Sequence, residues 1–162
     1  MTQVSEEIIG RMIDGTSSWE ELSGVMRGDK EPDRFRKYVA VLQARVPWAE
    51  RILLPLTAHL YIVQKRDGAR VVKCDCGHEF GDYRQNWKLE ALIRVRDSAA
   101  TIDELYPHFM GCNPEWMELR EYFCPGCTTQ LEVEAVPPGY PIVFSFLPDL
   151  EAFYRDWLNE PL

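Results

Sequence analysis

The sequence lacks the short motifs by which many enzymes bind nucleotides or form covalent intermediates. It contains no glycine-rich phosphate-binding loop of the Walker type, no Gly-x-Ser-x-Gly nucleophile elbow and no protein-kinase signature. A chain without these features is poorly equipped to catalyse a reaction by itself. The missing motifs therefore favour a structural or partner-binding role over that of a stand-alone enzyme.

Positive charge is also scarce. The 162 residues include 18 lysines and arginines against 26 aspartates and glutamates, which gives a formal net charge of −8. The acidic residues are spread along the chain and form no acidic tail. Surfaces that bind nucleic acid need clustered lysine and arginine to neutralise phosphates. The composition therefore argues against a nucleic-acid partner.

Long apolar runs are missing as well. No stretch approaches the roughly 18 consecutive apolar residues of a membrane span, and the N-terminus has no basic start followed by an apolar block. We therefore expect a cytoplasmic protein with no membrane partner. A reducing compartment also suits the five cysteines, because four of them lie in two tight pairs that are more typical of metal ligation than of disulfides.

The sequence does have enough apolar material for one domain. Hydrophobic residues make up 46% and aromatic residues 12% of the chain, and its length is within the usual span of a single domain. The predicted fold class is α+β, with N-terminal helices packed on a small antiparallel β-core that carries a zinc-ribbon-like site. An extended proline-rich arm and a C-terminal helix follow. The predicted single domain, 1–162, comprises a helical part (1–47), a zinc-stapled β-rich core (48–135) and the arm with its helix (136–162).

Apolar spacing and capping residues predict the helices. Three helices are expected in the first part, and Ser17 with Glu20 forms a possible capping box for the second. Asn113 with Pro114 is expected to open a further helical turn before the second cysteine pair. A last helix is predicted over residues 149–158.

Period-two patterns predict the strands. Short β-prone runs lie at 52–54, 60–63 and 71–72, and Asp67-Gly68 is a turn motif between the last two. Alternation of apolar and charged residues from Trp87 to Val95 predicts a strand with one buried face, and residues 131–135 predict another. The core is therefore expected to be built from antiparallel hairpins.

Two cysteine pairs are the most informative motif. Cys74-Asp75-Cys76-Gly77-His78 ends the predicted hairpin, and Cys124-Pro125-Gly126-Cys127 follows later in the chain. Structural zinc usually has four protein ligands in a tetrahedron, and thiolates are common among them. We predict zinc ligation by these four residues: Cys74, Cys76, Cys124 and Cys127. His78 is an alternative ligand that would replace Cys74, because the Cys-x-Cys loop is tighter than the usual first pair.

The chemistry of such a site depends on whether it is closed. Four protein ligands leave no position for water, so a closed site stabilises structure without catalysis. A stand-alone zinc hydrolase would need three ligands and a nearby acid or base such as Glu79 or Asp82, and a zinc-ribbon module for protein or nucleic-acid binding is a further alternative. Redox chemistry at Cys124 and Cys127 is disfavoured because a strand, not a long helix, is predicted to follow them.

Several motifs cover most of the chain in order: Asp33–Phe35, Ile52–Pro55, Cys74–Phe80, Asn86–Leu89, Arg120–Cys127 and Phe146–Tyr154. Together they resemble the small gamma subunit of acetone carboxylase. Such breadth is far more specific than two cysteine pairs. Acetophenone carboxylase has a similar small subunit, so the resemblance extends to that enzyme.

The resemblance implies a subunit of a biotin-independent carboxylase that uses ATP and bicarbonate to turn a ketone into a β-keto acid. Larger subunits related to hydantoinases would be the partners in a hetero-oligomer and would carry ATP, a divalent metal and the substrate. This chain would bind structural zinc and have no catalytic residues. By motif, the family's zinc site falls on Cys74 to His78 and on Cys124 and Cys127.

Overall fold

The first part of the chain forms three helices, as predicted. The structure, a computed structural model, describes residues 4–107 and 109–162. The three helices are α1 (Glu6–Ile13), α2 (Trp19–Arg27) and α3 (Arg34–Gln43). No helix in these two ranges is long and apolar enough to cross a membrane.

The capping box of α2 is displaced by one residue from the predicted pair. The Ser18 side chain, not that of Ser17, accepts a hydrogen bond from the Glu21 N–H, and the Glu21 carboxylate accepts one from the Ser18 N–H. Both serines have a glutamate three residues later, so the sequence allows either register. In the observed register Val25 is buried in one cluster with Ile9 of α1.

The first sheet is a four-stranded antiparallel meander. Strands β1 (Arg51–Pro55), β2 (Leu60–Gln64), β3 (Arg70–Cys74) and β4 (Glu79–Asp82) lie side by side in sequence order. Strand β2 is buried on both faces, because one face packs under α3 and the other packs against Leu150, Tyr154 and Leu158 near the end of the chain. The three predicted β-prone runs are confirmed as β1, β2 and β3.

The second sheet has three antiparallel strands. They are β5 (Leu92–Arg96), β6 (Glu118–Phe123) and β7 (Gln130–Val136), with β6 in the centre. A short helix α4 (Ala99–Ile102) lies in the connection between β5 and β6. The predicted strand at 131–135 is confirmed as part of β7.

Two predictions for this second sheet were only partly right. The alternating segment from Trp87 begins as a 3₁₀ turn, because the Asn86 side chain accepts from the Lys88 N–H and caps it, and β5 buries only Arg96. Asn113 does open one turn, in which its carbonyl accepts from the N–H groups of Trp116 and Met117, both at 3.0 Å. The predicted helix stops there, and the chain becomes strand β6 from Glu118, because pairing with strands on both sides satisfies its backbone hydrogen bonds. A local cap therefore overrides the alternating pattern in the first place, and strand pairing overrides the helical pattern in the second.

The last part of the chain crosses both sheets. Residues 137–148 form an extended arm without regular structure, as the prolines predict. A short helix α5 (Leu150–Ala152) then continues as a π-helical turn (Phe153–Trp157), and the two together are named the C-terminal helix. The buried Tyr154 hydroxyl donates to the Leu53 carbonyl of β1 at 2.9 Å. This bond fixes the C-terminal helix on the first sheet.

Lys88 is a fully buried cation between the second sheet and the arm. Its ammonium group donates to the carboxylates of Glu132 and Glu134 on β7, and to the Ser145 hydroxyl of the arm at 3.2 Å. The Tyr122 hydroxyl of β6 donates to the Glu134 carboxylate at 2.7 Å. Charge-assisted hydrogen bonds are stronger than neutral ones, so this network ties the arm to the sheet.

Replacing Lys88 with alanine should lower the free energy of unfolding by about 3–5 kcal/mol, because two partly buried carboxylates would lose their cation. Urea denaturation followed by tryptophan fluorescence measures the change. The matched control is Lys65→Ala, which removes an ion pair with Glu79 whose side chains are 35% and 34% exposed. That loss should stay below about 1 kcal/mol, and equal losses in the two variants would contradict a stabilising role for the buried network.

Candidate metal centre

Four cysteine side chains meet at the seam between the two sheets. The Sγ atoms of Cys74, Cys76, Cys124 and Cys127 all lie within 4.8 Å of one another. Across the seam, the Sγ atoms of Cys74 and Cys127 are 3.8 Å apart, and those of Cys76 and Cys124 are 3.7 Å apart. These distances exceed the roughly 2.05 Å of a disulfide, and they match the ~3.8 Å expected between thiolates that bind one tetrahedral zinc ion at about 2.3 Å. The donor set therefore fits one metal ion with four sulfur ligands.

A tight turn between β3 and β4 positions the first pair. Cys74 is the last residue of β3; its N–H donates to the His78 carbonyl at 2.9 Å, and its carbonyl accepts from the Gly77 N–H at 2.8 Å. Gly77 has a φ of +97°, a left-handed conformation that favours glycine. This turn brings both sulfurs of the Cys-x-Cys pair to one side, which the spacing alone left open.

The loop between β6 and β7 positions the second pair. The Cys124 N–H donates to the Thr129 carbonyl at 2.9 Å, and the Thr128 N–H donates to the Cys124 carbonyl at 2.8 Å. The Gly126 N–H donates to the Cys124 Sγ at 3.3 Å. A backbone N–H aimed at a sulfur stabilises its thiolate form, so this contact partly offsets the effect of burial on the pKa of the Cys124 thiol.

The four sulfurs differ in burial. Cys74 and Cys124 are buried, whereas Cys76 and Cys127 are exposed. Burial raises the pKa of the Cys74 thiol and the pKa of the Cys124 thiol. Hydrogen bonds with the side chain and backbone of Thr129 lower the pKa of Cys127 to about 6. A metal ion that binds all four as thiolates at neutral pH would therefore displace protons from the two buried sulfurs.

The histidines near the cysteines make other contacts. Among the residues that the structure describes, the one group of converging metal-ligating atoms contains the four cysteines and no histidine. The His78 ring packs edge-on against Phe80, with ring centroids 4.9 Å apart. His59 Nδ1 lies 2.5 Å from Asp75 Oδ2, so His59 pairs with the residue between the first two cysteines.

The carboxylates considered as catalytic partners are paired with cations. Glu79 contacts Lys65 at 2.9 Å and Lys73 at 3.5 Å. Asp82 contacts Arg84 at 2.6 Å, and hydrogen bonds from Arg84 lower the pKa of Asp82 to about 2. A general base works best when its pKa lies near the operating pH, so Asp82 is poorly suited to this role.

Two long-range contacts hold the cysteine turns, and no local pattern predicts them. The Trp48 indole N–H donates to the carbonyls of Cys74 and Asp75 at 3.2 and 3.0 Å. Gly126 lies against the first turn, where an added Cβ would be 3.0 Å from the His78 Cβ and 3.2 Å from the Cys76 Sγ. The glycine in the second pair therefore allows close approach of the two turns as well as a tight turn of its own.

Gly126→Ala should lower the free energy of unfolding by about 1–3 kcal/mol, because the new methyl group would press on His78 and Cys76. The control is Gly24→Ala in α2, where an added Cβ meets nothing within 4 Å. That variant should gain roughly 0.5–1 kcal/mol, since alanine favours a helix over glycine. Chemical denaturation measures both variants, and a Gly126→Ala protein as stable as the wild type would contradict the close packing of the two turns.

Comparison with known proteins agrees with the resemblance in the motifs. The family model described as acetone carboxylase gamma subunit matches residues 46–158, a range that contains both cysteine pairs. The acetone carboxylase gamma subunit of Xanthobacter autotrophicus (strain ATCC BAA-1158 / Py2) is 43% identical over 152 residues, which cover 93% of this chain and 90% of the relative. The acetophenone carboxylase beta subunit of Aromatoleum aromaticum (strain DSM 19018 / LMG 30748 / EbN1) is 30% identical over 80 residues, which cover 48% of this chain and 62% of the relative. The chain belongs to the acetone carboxylase gamma subunit family.

Proposed function

We propose that this chain is the small, zinc-binding, non-catalytic subunit of an ATP-dependent, biotin-independent ketone carboxylase. The enzyme would join bicarbonate to a ketone to give a β-keto acid, and ATP and a divalent metal would bind in larger hydantoinase-related subunits. The observation that carries the proposal is the similarity to an acetone carboxylase gamma subunit over 93% of the chain. Identity of 43% to that subunit, against 30% to the acetophenone carboxylase subunit, favours acetone as the ketone.

In this proposal the four cysteines hold the zinc ion. Two ligands come from the turn after β3 and two from the loop after β6, so a bound ion would cross-link the two sheets. When bound, zinc supplies four metal–sulfur bonds and keeps no open position for water. The Sγ distances of 3.7 and 3.8 Å across the seam support this set over one in which His78 replaces Cys74.

The same geometry disfavours a stand-alone zinc hydrolase. A hydrolytic zinc site keeps a water ligand and a general base beside it. Here a fourth sulfur is close enough to take the place of the water, and Glu79 and Asp82 are engaged by cations. The carboxylation chemistry would accordingly belong to the partner subunits.

We further propose that residues 1–162 form a single cytoplasmic domain. Three hydrophobic clusters support one domain because each joins parts that are distant in the sequence. One links α3 to β1 and β2, another links the C-terminal helix to the same strands, and a third spans the two sheets.

Loss of one ligand tests the zinc site. Cys127→Ala should reduce bound zinc at least about tenfold and lower solubility, because metal binding is coupled to folding. Cys127 is exposed, so the substitution leaves no buried cavity of its own. The matched control is Cys112→Ala, whose sulfur lies outside the cluster and contacts the Met117 carbonyl at 3.6 Å.

Elemental analysis of the purified proteins gives the result. The Cys112→Ala protein should keep the wild-type zinc content. Wild-type zinc content in the Cys127→Ala protein would contradict the ligand assignment.

Isolation of the native complex tests the function as a whole. The tagged full-length chain should purify with much larger chains, which mass spectrometry identifies. The complex should consume acetone in a manner that depends on ATP and bicarbonate, and the isolated chain should not. A chain that remains monomeric in the presence of those larger chains would refute the proposal.

A further inference from the structure

An apolar groove lies between α1 and the C-terminal helix, over the start of α3. We name it the α1–α5 groove. Its cavity volume is about 730 Å³. The main apolar side chains that line it are Met12, Ile13, Phe35, Tyr38, Phe153 and Trp157.

Two hydrophobic clusters meet at the groove, and the space between them stays open. Met12 and Tyr38 pack against the cluster of the N-terminal helices, whereas Phe35 and Phe153 pack against the cluster under the C-terminal helix. Trp157 stands at the edge with 82% of its surface exposed. Exposed apolar grooves with a large aromatic side chain are typical of protein–protein contacts, in which tryptophan often carries much of the binding energy.

The rim of the groove carries unmatched positive charge. Arg34 and Lys30 line it, and neither forms an ion pair with a carboxylate in the described part of the chain. The Lys30 ammonium donates only to the backbone carbonyls of Val25 and Met26, at 3.2 and 3.1 Å, which do not neutralise its charge. By contrast, Arg36 and Lys37, the next cations on α3, pair with Glu160 and with Glu31. Two unmatched cations beside an apolar groove, in a chain of net charge −8, complement a partner that is apolar and acidic.

We propose that the α1–α5 groove binds an amphipathic helix of a larger carboxylase subunit. Its apolar face would fill the groove, and its flanking carboxylates would pair with Lys30 and Arg34. A helix suits a groove between two helices, because side-chain ridges pack between those of its neighbours. A second copy of this chain is disfavoured as the occupant because two chains of net charge −8 repel each other. The inference depends on the proposed function, which supplies the partner.

Paired substitutions in the full-length chain test the groove. Trp157→Ala and Arg34→Glu should each weaken association with the co-purified larger chains at least about tenfold. The control for the first is Trp116→Ala, because Trp116 is 75% exposed and lies outside the groove. The control for the second is Arg66→Glu, because Arg66 is exposed and, like Arg34, forms no ion pair among the described residues. Both controls should bind within about twofold of the wild type.

Two further measurements separate binding from folding. Zinc content and the free energy of unfolding should be unchanged in all four variants, since each side chain lies at the surface or rim. Hydrogen exchange should show slower exchange in α1 and the C-terminal helix in the complex than in the isolated chain.

The outcomes distinguish this inference from the proposed function. The docking site would be overturned if the Trp157→Ala and Arg34→Glu variants associate with the larger chains as the wild type does. It would also be overturned if the control variants lose as much affinity as these two. In either case the wild-type complex still forms, so the proposed function would stand. A wild-type chain that associates with no larger chains would overturn the proposed function and the docking site together. The isolated chain could instead form dimers that the Trp157→Ala substitution dissociates. That result would show that the groove binds a second copy of this chain.

Discussion

The contact among four sulfurs at the seam is the constraint on which the rest of the structure depends. Cys74 and Cys124 belong to the hydrophobic cluster that spans the two sheets, together with Leu60, Phe80 and Tyr122. Sheets of four and three strands each need a second layer to bury an apolar face. Two of the four thiols are buried at the edge of this cluster. A cation bound by all four sulfurs would join the two layers with metal–sulfur bonds at this point.

A single short turn connects this apolar seam to the polar side of the second sheet. Trp87 lies in the cluster between the sheets, whereas its neighbour Lys88 is buried in the network with Glu132 and Glu134. In a strand, successive side chains point to opposite faces of one sheet. The 3₁₀ turn at 87–90 instead directs Trp87 into the seam and Lys88 under the arm. The arm and the metal site are thus positioned by adjacent residues.

The sequence predicts the first sheet well and the second sheet poorly, for a physical reason. Strands β1 and β2 are mostly apolar, so their burial can be read from hydrophobicity. In the second sheet, Arg96 and Glu121 are both buried, and they neutralise each other at 2.6 Å. Buried ion pairs of this kind remove the apolar periodicity on which prediction depends. The four cysteines were recognisable from their spacing, but the contacts of Trp48 and Gly126 depend on segments that only the fold brings together.

A structural metal site can also influence a distant surface through close packing. Leu56 and Tyr83 pack against both the cluster at the seam and the cluster under the C-terminal helix. That second cluster includes Leu158, which also lines the α1–α5 groove beside Trp157. Protein interiors are packed densely, so a seam that loosens shifts the elements that rest on it. If the proposed zinc ion binds at one end of this path, it would therefore help to keep the groove in shape at the other end.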